Sequence, residues 1–354
     1  MNLLDTTLRD GSYSVDFRFT AADTVRFCRG LEAVGVRYIE VGHGYGLGGN
    51  RHGFGPAAAS DSEYVQAARG ALTQARFGMF CIPQLATLDD VEMTADGGMD
   101  FIRVGSDATQ VASMEPFIGL ARQRGMTVMA NLMKSYVLPP REFAREARRA
   151  VEFGAEVVYI VDSAGCMLPD EVVEYYRALR EVSEVPVGFH AHNNLGLAVA
   201  NCLRLANEGA LFLDSSLQGL GRSAGNAMTE ALAAALARAG HQTGVDLLGT
   251  LRLGYTLVAP WGASAGIMPL DLVAGFAGFH SGFLPRVLAA AAHYEADPAH
   301  LILEVCAVDR EGIREAELDR IAARLRGGGR DRAGEYGETP ASSTARPALA
   351  RPRT

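Results

Sequence analysis

Residues 157–192 read VVYIVDSAGCMLPDEVVEYYRALREVSEVPVGFHAH. The first six are almost wholly apolar and end in Asp162; the last six end in His190, Ala191 and His192. Between them, 169–182 carries its apolar residues at helical spacing. Apolar runs with little alternation are what strands buried on both faces look like, and a helix joining two of them is the unit of a parallel sheet. Outward from this unit the pattern repeats. Further strand-like runs fall at 3–6, 38–41, 76–82, 101–104, 127–131 and 211–214, which makes eight, and helical spacing recurs at 21–34 and 140–153. Gly35, Gly98, Gly125, Gly154 and Gly209 each follow a helical stretch and open the turn into the next strand. Eight such units predict a closed (β/α)8 TIM barrel over residues 1–245. No G-x-G-x-x-G follows the first strand, which weighs against an open dinucleotide-binding sheet. After 245 the beat stops: 246–326 reads as a helical extension, and 327–354, rich in Gly, Arg, Pro, Ser and Ala, reads as a disordered tail.

The bulk properties agree. A chain of 354 residues with 48% hydrophobic and 21% charged residues can bury a large core. A net charge of −8 argues against nucleic-acid binding and against a basic membrane-surface role. No run of 18 apolar residues predicts a transmembrane helix, and the N-terminus lacks the regions of a signal peptide. Cys28, Cys81, Cys166, Cys202 and Cys306 are scattered, without a C-x-x-C pair, and read as reduced thiols of a cytoplasmic protein. Lys134 is the only lysine.

In this fold, polar residues at the C-terminal ends of strands face the active site. Strand 1 runs into Arg9-Asp10-Gly11, strand 2 carries Glu40 and runs into a glycine-rich loop with His43, strand 6 into Asp162-Ser163, and strand 7 into His190-Ala191-His192. Alternate residues on a strand point the same way, so the two imidazoles can reach one metal. With Asp10 they make a two-histidine, one-carboxylate set with open positions, suited to Mn2+, Mg2+ or Co2+. Arg9 is either a salt-bridge partner at the rim or a fixed cation for an enolate oxygen. His43 is either a loop histidine or a substrate contact, while Glu40 and Asp162 are carboxylates that orient ligands. Cys166 and Trp261 read as packing.

These pieces resemble the DRE-TIM metallolyase superfamily and, within it, the 4-hydroxy-2-oxoacid aldolases. The resemblance is carried by Asp5-Thr6-Thr7-Leu8-Arg9-Asp10-Gly11, Ile39 to Gly44 with Gly46-Leu47-Gly48-Gly49, Val161 to Gly165, Gly188 to Leu195, and Gly219 to Asn226, and it runs from about residue 2 to 310. It implies a carbon–carbon lyase with a Mn2+-type ion on Asp10, His190 and His192, chelated by a 2-oxo acid such as pyruvate, with an aldehyde as the other product. Arg9 would stabilise the pyruvate enolate, Ser163 would touch the substrate carboxylate, and Asn226 is a weaker candidate near the metal. The resemblance also implies an acylating aldehyde dehydrogenase partner, docked through the helical extension; no residue of this chain demonstrates that contact, and the oligomer size, a homo-oligomer included, is left open.

Two positions depart from the aldolase pattern. The histidine usually found three residues after the metal aspartate is Tyr13, and a Gly-Tyr-Ala-Gly-x-Tyr-Ser-like segment reads Gly275-Phe276-Ala277-Gly278-Phe279-His280-Ser281, with histidine at the second tyrosine. The pair reads as an exchange, His280 becoming the general base and Tyr13 the hydrogen-bond donor to substrate oxygen. A third departure is Lys134, where an uncharged residue is expected. The competing readings are a Claisen-type acyl-CoA synthase or lyase, disfavoured because Ser12-Tyr13-Ser14 replaces the Gln-containing stretch of those relatives; a Schiff-base aldolase resting on Lys134; and a non-catalytic scaffold, against which the complete Arg9, Asp10, His190 and His192 set argues.

Overall fold

The computed structural model describes residues 1–261 and 269–326, so the expectation of a disordered tail at 327–354 lies outside the described residues. Eight parallel strands close into a barrel in chain order: β1 (Asn2–Asp5), β2 (Tyr38–Val41), β3 (Arg76–Cys81), β4 (Phe101–Asp107), β5 (Thr127–Met133), β6 (Val157–Asp162), β7 (Val187–Ala191) and β8 (Phe212–Ser215). Closure comes from β1 on β8, with Asn2 opposite Phe212 and Leu4 opposite Asp214. Helices α1 (Ala21–Ala33), α2 (Asp61–Ala71), α3 (Leu88–Asp96), α4 (Glu115–Gln123), α5 (Pro140–Phe153), α6 (Pro169–Val182), α7 (Ala198–Glu208) and α8 (Thr229–Arg238) each follow their strand. The chain starts several of them with its own chemistry. Thr20 with Asp23, Ser60 with Glu63, and Thr87 with Asp90 form reciprocal capping boxes, and proline opens α4, α5 and α6.

Strand parity divides the core into two. Residues such as Ile39, Ile102, Val104, Val128, Val158, Ile160 and Phe189 join the helices in a large outer core. Leu4, Phe101, Met129, Val157, Tyr159, Val161 and Phe212 form a smaller cluster inside the barrel. Gly78 and Gly188 make room for it, because a Cβ there would run into the rings of Phe101 and Tyr159. Glu40, Arg103 and Asp214 share the parity of Tyr38, Phe101 and Phe212 on their strands, so charge sits inside the barrel directly above apolar side chains.

Beyond 245, α9 (Leu247–Val258), α10 (Pro269–Ala277), α11 (Leu284–Tyr294), α12 (Pro298–Val308) and α13 (Glu315–Arg324) are helical as read, but they do not form one body. The chain divides at Ser281/Gly282, leaving α9 and α10 in the barrel's unit. Leu257 and Val258 of α9 are part of the large core, and Leu253 lies against Gly30 of α1. The second unit packs α11, α12 and α13 on one another around Val287, Leu301, Ile302, Leu318 and Ile321. Among the described residues, no helix is long and apolar enough to cross a membrane.

Candidate metal centre

Asp10 opens a short helical turn, Asp10–Val15, just past β1; its backbone N–H bonds to the Thr6 carbonyl. His190 stands on β7, and His192 lies one residue beyond it, bridged to Asn226 in the loop after β8. One ligand atom of each of Asp10, His190 and His192 lies within 4.8 Å of the others, and all three residues are buried. The His190 Nδ1 proton goes to Asp214 Oδ2 at 2.8 Å, which turns the Nε2 lone pair toward Asp10 Oδ2, 3.9 Å away. The two imidazole rings stand nearly perpendicular at 5.2 Å.

The electrostatics suit a cation. Burial opposes the charge on Asp10, yet Arg9 and then the two imidazoles outweigh it and hold the carboxyl well below the usual range. Burial pushes His192 down to about 3, so its ring is neutral and offers a lone pair. Two buried acceptors here, His192 Nδ1 and Asn226 Oδ1, have no hydrogen-bond partner. A buried carboxylate, the neutral His192 ring, the His190 Nε2 turned toward Asp10 and orphaned acceptors side by side are a donor set for a divalent metal.

Beneath the triad runs a continuous ion-pair chain. Arg9 donates to Asp10 through Nη1 (2.5 Å) and to Glu40 through Nε (2.7 Å); Arg103 donates to the same Glu40 oxygen (2.9 Å) and to Asp214 Oδ2 (2.5 Å), which orients His190. Arg103 is fully buried and lies 4.5 Å from the Tyr159 ring centroid. Arg103 and Asp214 escaped the sequence reading. The available signal was a charge on a strand otherwise apolar, at an inward position.

The remaining candidates fall into two groups. At the site, Asn226 Nδ2 donates to Asp10 Oδ1 (3.2 Å), and Ser163 Oγ accepts the Lys134 N–H (3.0 Å), leaving its own proton to donate. His280 Nε2 lies 3.0 Å from Arg222 Nη2, whose guanidinium sits 5.4 Å from the Tyr13 ring centroid, so Tyr13 and His280 share one neighbour. Burial first, and then Arg222 and Lys134, hold His280 well below its ordinary value, while burial keeps Tyr13 protonated. Away from the ligands, Asp162 accepts the N–H groups of Cys166 and Met167 and shapes the loop after β6. His43 stacks on Phe17, accepts the Tyr45 N–H at Nδ1 and donates from Nε2 to Gly55, so both nitrogens serve the glycine-rich loop. Lys134 is ion-paired with Asp107 at 3.0 Å. All five cysteines are free.

A closed (β/α)8 barrel with a buried carboxylate and two imidazoles at its C-terminal mouth defines a barrel built to hold a divalent metal. Residues 1–256 match the HMGL-like family, and the chain belongs to it. It is 42% identical over 322 residues to 4-hydroxy-2-oxovalerate aldolase 2 of Nocardia farcinica, covering 91% of this chain and 92% of that one. To 4-hydroxy-2-oxovalerate aldolase of Moorella thermoacetica it is 39% identical over 306 residues, 86% and 90% of the two chains. Among solved structures, the carboxyl transferase domain of Rhizobium etli pyruvate carboxylase superposes with a TM-score of 0.73 at 16% identity, covering 92% of this chain and 60% of that one. HMG-CoA lyase from Bacillus subtilis gives 0.65 at 20% identity, with 77% and 97% coverage. These two structural likenesses speak for the fold alone.

Proposed function

We propose that the chain is a divalent-metal-dependent aldolase that cleaves or forms the C3–C4 bond of a 4-hydroxy-2-oxo acid, its halves being a 2-oxo acid such as pyruvate and an aldehyde. The observation that carries this reading is the convergence of Asp10, His190 and His192 beside the Arg9 guanidinium, in a chain about 40% identical to proteins named as such aldolases. Mn2+ is the ion proposed, with Mg2+ and Co2+ as substitutes, because the set mixes one hard oxygen with two borderline nitrogens. Bound there, the ion acts as a Lewis acid on the 2-oxo group.

In cleavage, the C4 hydroxyl gives its proton to a base, its oxygen becomes the aldehyde carbonyl, and the C3–C4 bond breaks. The bond's electron pair enters the enolate of the 2-oxo acid, which then takes a proton at C3. Arg9, locked by Asp10 and Glu40 with Phe80 against its face, is placed to stabilise the enolate oxygen. The free Ser163 proton serves the substrate carboxylate. Tyr13, which burial keeps protonated, donates to the C4 oxygen. His280 is the base, neutral as a base must be, and works once Arg222 releases its Nε2 lone pair.

Metal-reconstituted protein should condense pyruvate or 2-oxobutyrate with members of an aldehyde panel, and lose this activity to chelator. Free thiol released from acetyl-CoA in the presence of a 2-oxo acid would instead favour a Claisen-type enzyme, and borohydride trapping of pyruvate on Lys134 a Schiff-base route. A cytoplasmic location, a homo-oligomer and an acylating aldehyde dehydrogenase partner go with the aldolase reading as part of the same proposal.

A further inference from the structure

Four cations surround the candidate site, and three are neutralised. Arg9 has Asp10 and Glu40, Arg103 has Glu40 and Asp214, and Lys134 has Asp107. Arg222 differs. Its backbone N–H donates to Asp10 Oδ1 at 3.0 Å, so its side chain starts beside the triad. Its guanidinium meets the face of Tyr13 and the ring of His280, its Nε is buried without a hydrogen-bond partner, and among the described residues it forms no ion pair, its charge reaching Asp10 only at longer range. A half-buried guanidinium with no anion in contact can take one, and a carboxylate fits its planar fork.

We propose that Arg222 receives a carboxylate carried by the aldehyde half of the substrate, so that this chain acts on 4-hydroxy-2-oxo acids bearing a second acidic group. The inference rests on the aldolase reading of the same site. Within it, the carboxylate of the 2-oxo acid belongs with Ser163 and its enolate oxygen with Arg9, whereas Arg222 touches Tyr13 and His280, the two groups assigned to the C4 hydroxyl. An anion that engages Arg222 therefore belongs to whatever is attached at C4. It also draws Arg222 off His280 Nε2, freeing the base when an acidic substrate arrives.

The test measures kcat/KM for aldol addition of pyruvate to glyoxylate and succinic semialdehyde against acetaldehyde and propanal, in the metal-reconstituted full chain. The acidic aldehydes are expected to be preferred at least tenfold. Arg222→Met should collapse that ratio by about 10- to 100-fold, the worth of one charged hydrogen-bonded contact, mainly through KM. Arg222→Lys, which keeps the charge, should retain part of the preference and shows that loss in the methionine variant is not loss of fold. Acidic aldehydes no better than neutral ones, or an equal loss on all four, would overturn the proposal and leave the aldolase reading standing. If no aldehyde adds to pyruvate, it is the aldolase reading that fails. Calorimetric binding of glutarate against butyrate then decides the fate of Arg222: tighter glutarate binding that Arg222→Met abolishes supports the anion site, and glutarate affinity unchanged by the substitution overturns it.

Discussion

Asp214 bonds to His190 Nδ1, which fixes the ring and leaves Nε2 for the metal ligation proposed for it. Asp214→Asn should therefore weaken Mn2+ binding by about 10- to 100-fold in a calorimetric titration, and unchanged affinity would remove Asp214 from the metal's support. The substitution also takes one of two carboxylates from the buried Arg103, so thermal unfolding of the metal-free variant is needed to separate lost stability from lost affinity. The exchanged pair makes a second prediction. As the proposed base, His280 should cost about 10²- to 10⁴-fold in kcat when replaced by alanine, against a much smaller loss for Tyr13→Phe; equal, mild effects would sink the exchange. Asp10, His190 and His192 could be read from the sequence because strand-end position and i,i+2 parity are local rules. Arg103, Asp214 and Arg222 could not, since their meaning depends on pairing across β2, β4, β7 and β8 and on a loop that folds back over Asp10.

The loop after β8 braces the Asp10 carboxylate from outside the barrel strands. It supplies Asn226 Nδ2 and the Arg222 N–H to a single oxygen of Asp10, and its curl depends on Gly225, at φ +82, where a Cβ would strike the Gly219 carbonyl. Gly225→Ala should cost about 1–3 kcal/mol of stability from the left-handed backbone, and it should also lower metal affinity by loosening Asp10. Denaturant unfolding and metal titration of one preparation check both; a stability loss with unaltered affinity would mean the loop does not brace the carboxylate. Strand ends were harder to read than strand centres for the same reason that this loop matters. Beta-4 and beta-5 run on to Asp107 and Met133, past the apolar stretches, because Gly105, Ser106 and Asp107 stay in register with Asn131, Leu132 and Met133. The tight turns and polar residues that make the mouth functional are those that break an apolar pattern. The extension hid its division similarly: α9 reads as a helix anywhere, and only the burial of Leu257 and Val258 assigns it to the barrel.

A barrel that buries carboxylates away from water should show it in its stability as pH changes. Asp5, at the end of β1, has both oxygens bonded to Thr7 and is still raised to about 7, because burial, with Glu230 and Glu40 adding to it, outweighs those bonds. The sign follows from proton counting. Between the ordinary value of 3.8 and about 7 the folded chain holds a proton that the unfolded chain has released, so Asp5 lowers stability as pH rises through that window, and its effect is flat above it. At about 1.4 kcal/mol per pKa unit the full penalty is on the order of 4 kcal/mol, an upper bound for a group whose surroundings can relax. Asp5→Asn keeps an acceptor for the Thr7 N–H and removes the titration. The variant should match the wild type in denaturant unfolding near pH 4 and exceed it increasingly up to pH 7, with a constant gap beyond. Chelator in all samples removes the metal as a competing source of pH dependence, since metal binding is itself pH-dependent and weakens as protons compete for its ligands. A gap that is the same at pH 4 and pH 8 would show that Asp5 stays ionised in the folded barrel and that the burial penalty is met by bonds other than those to Thr7.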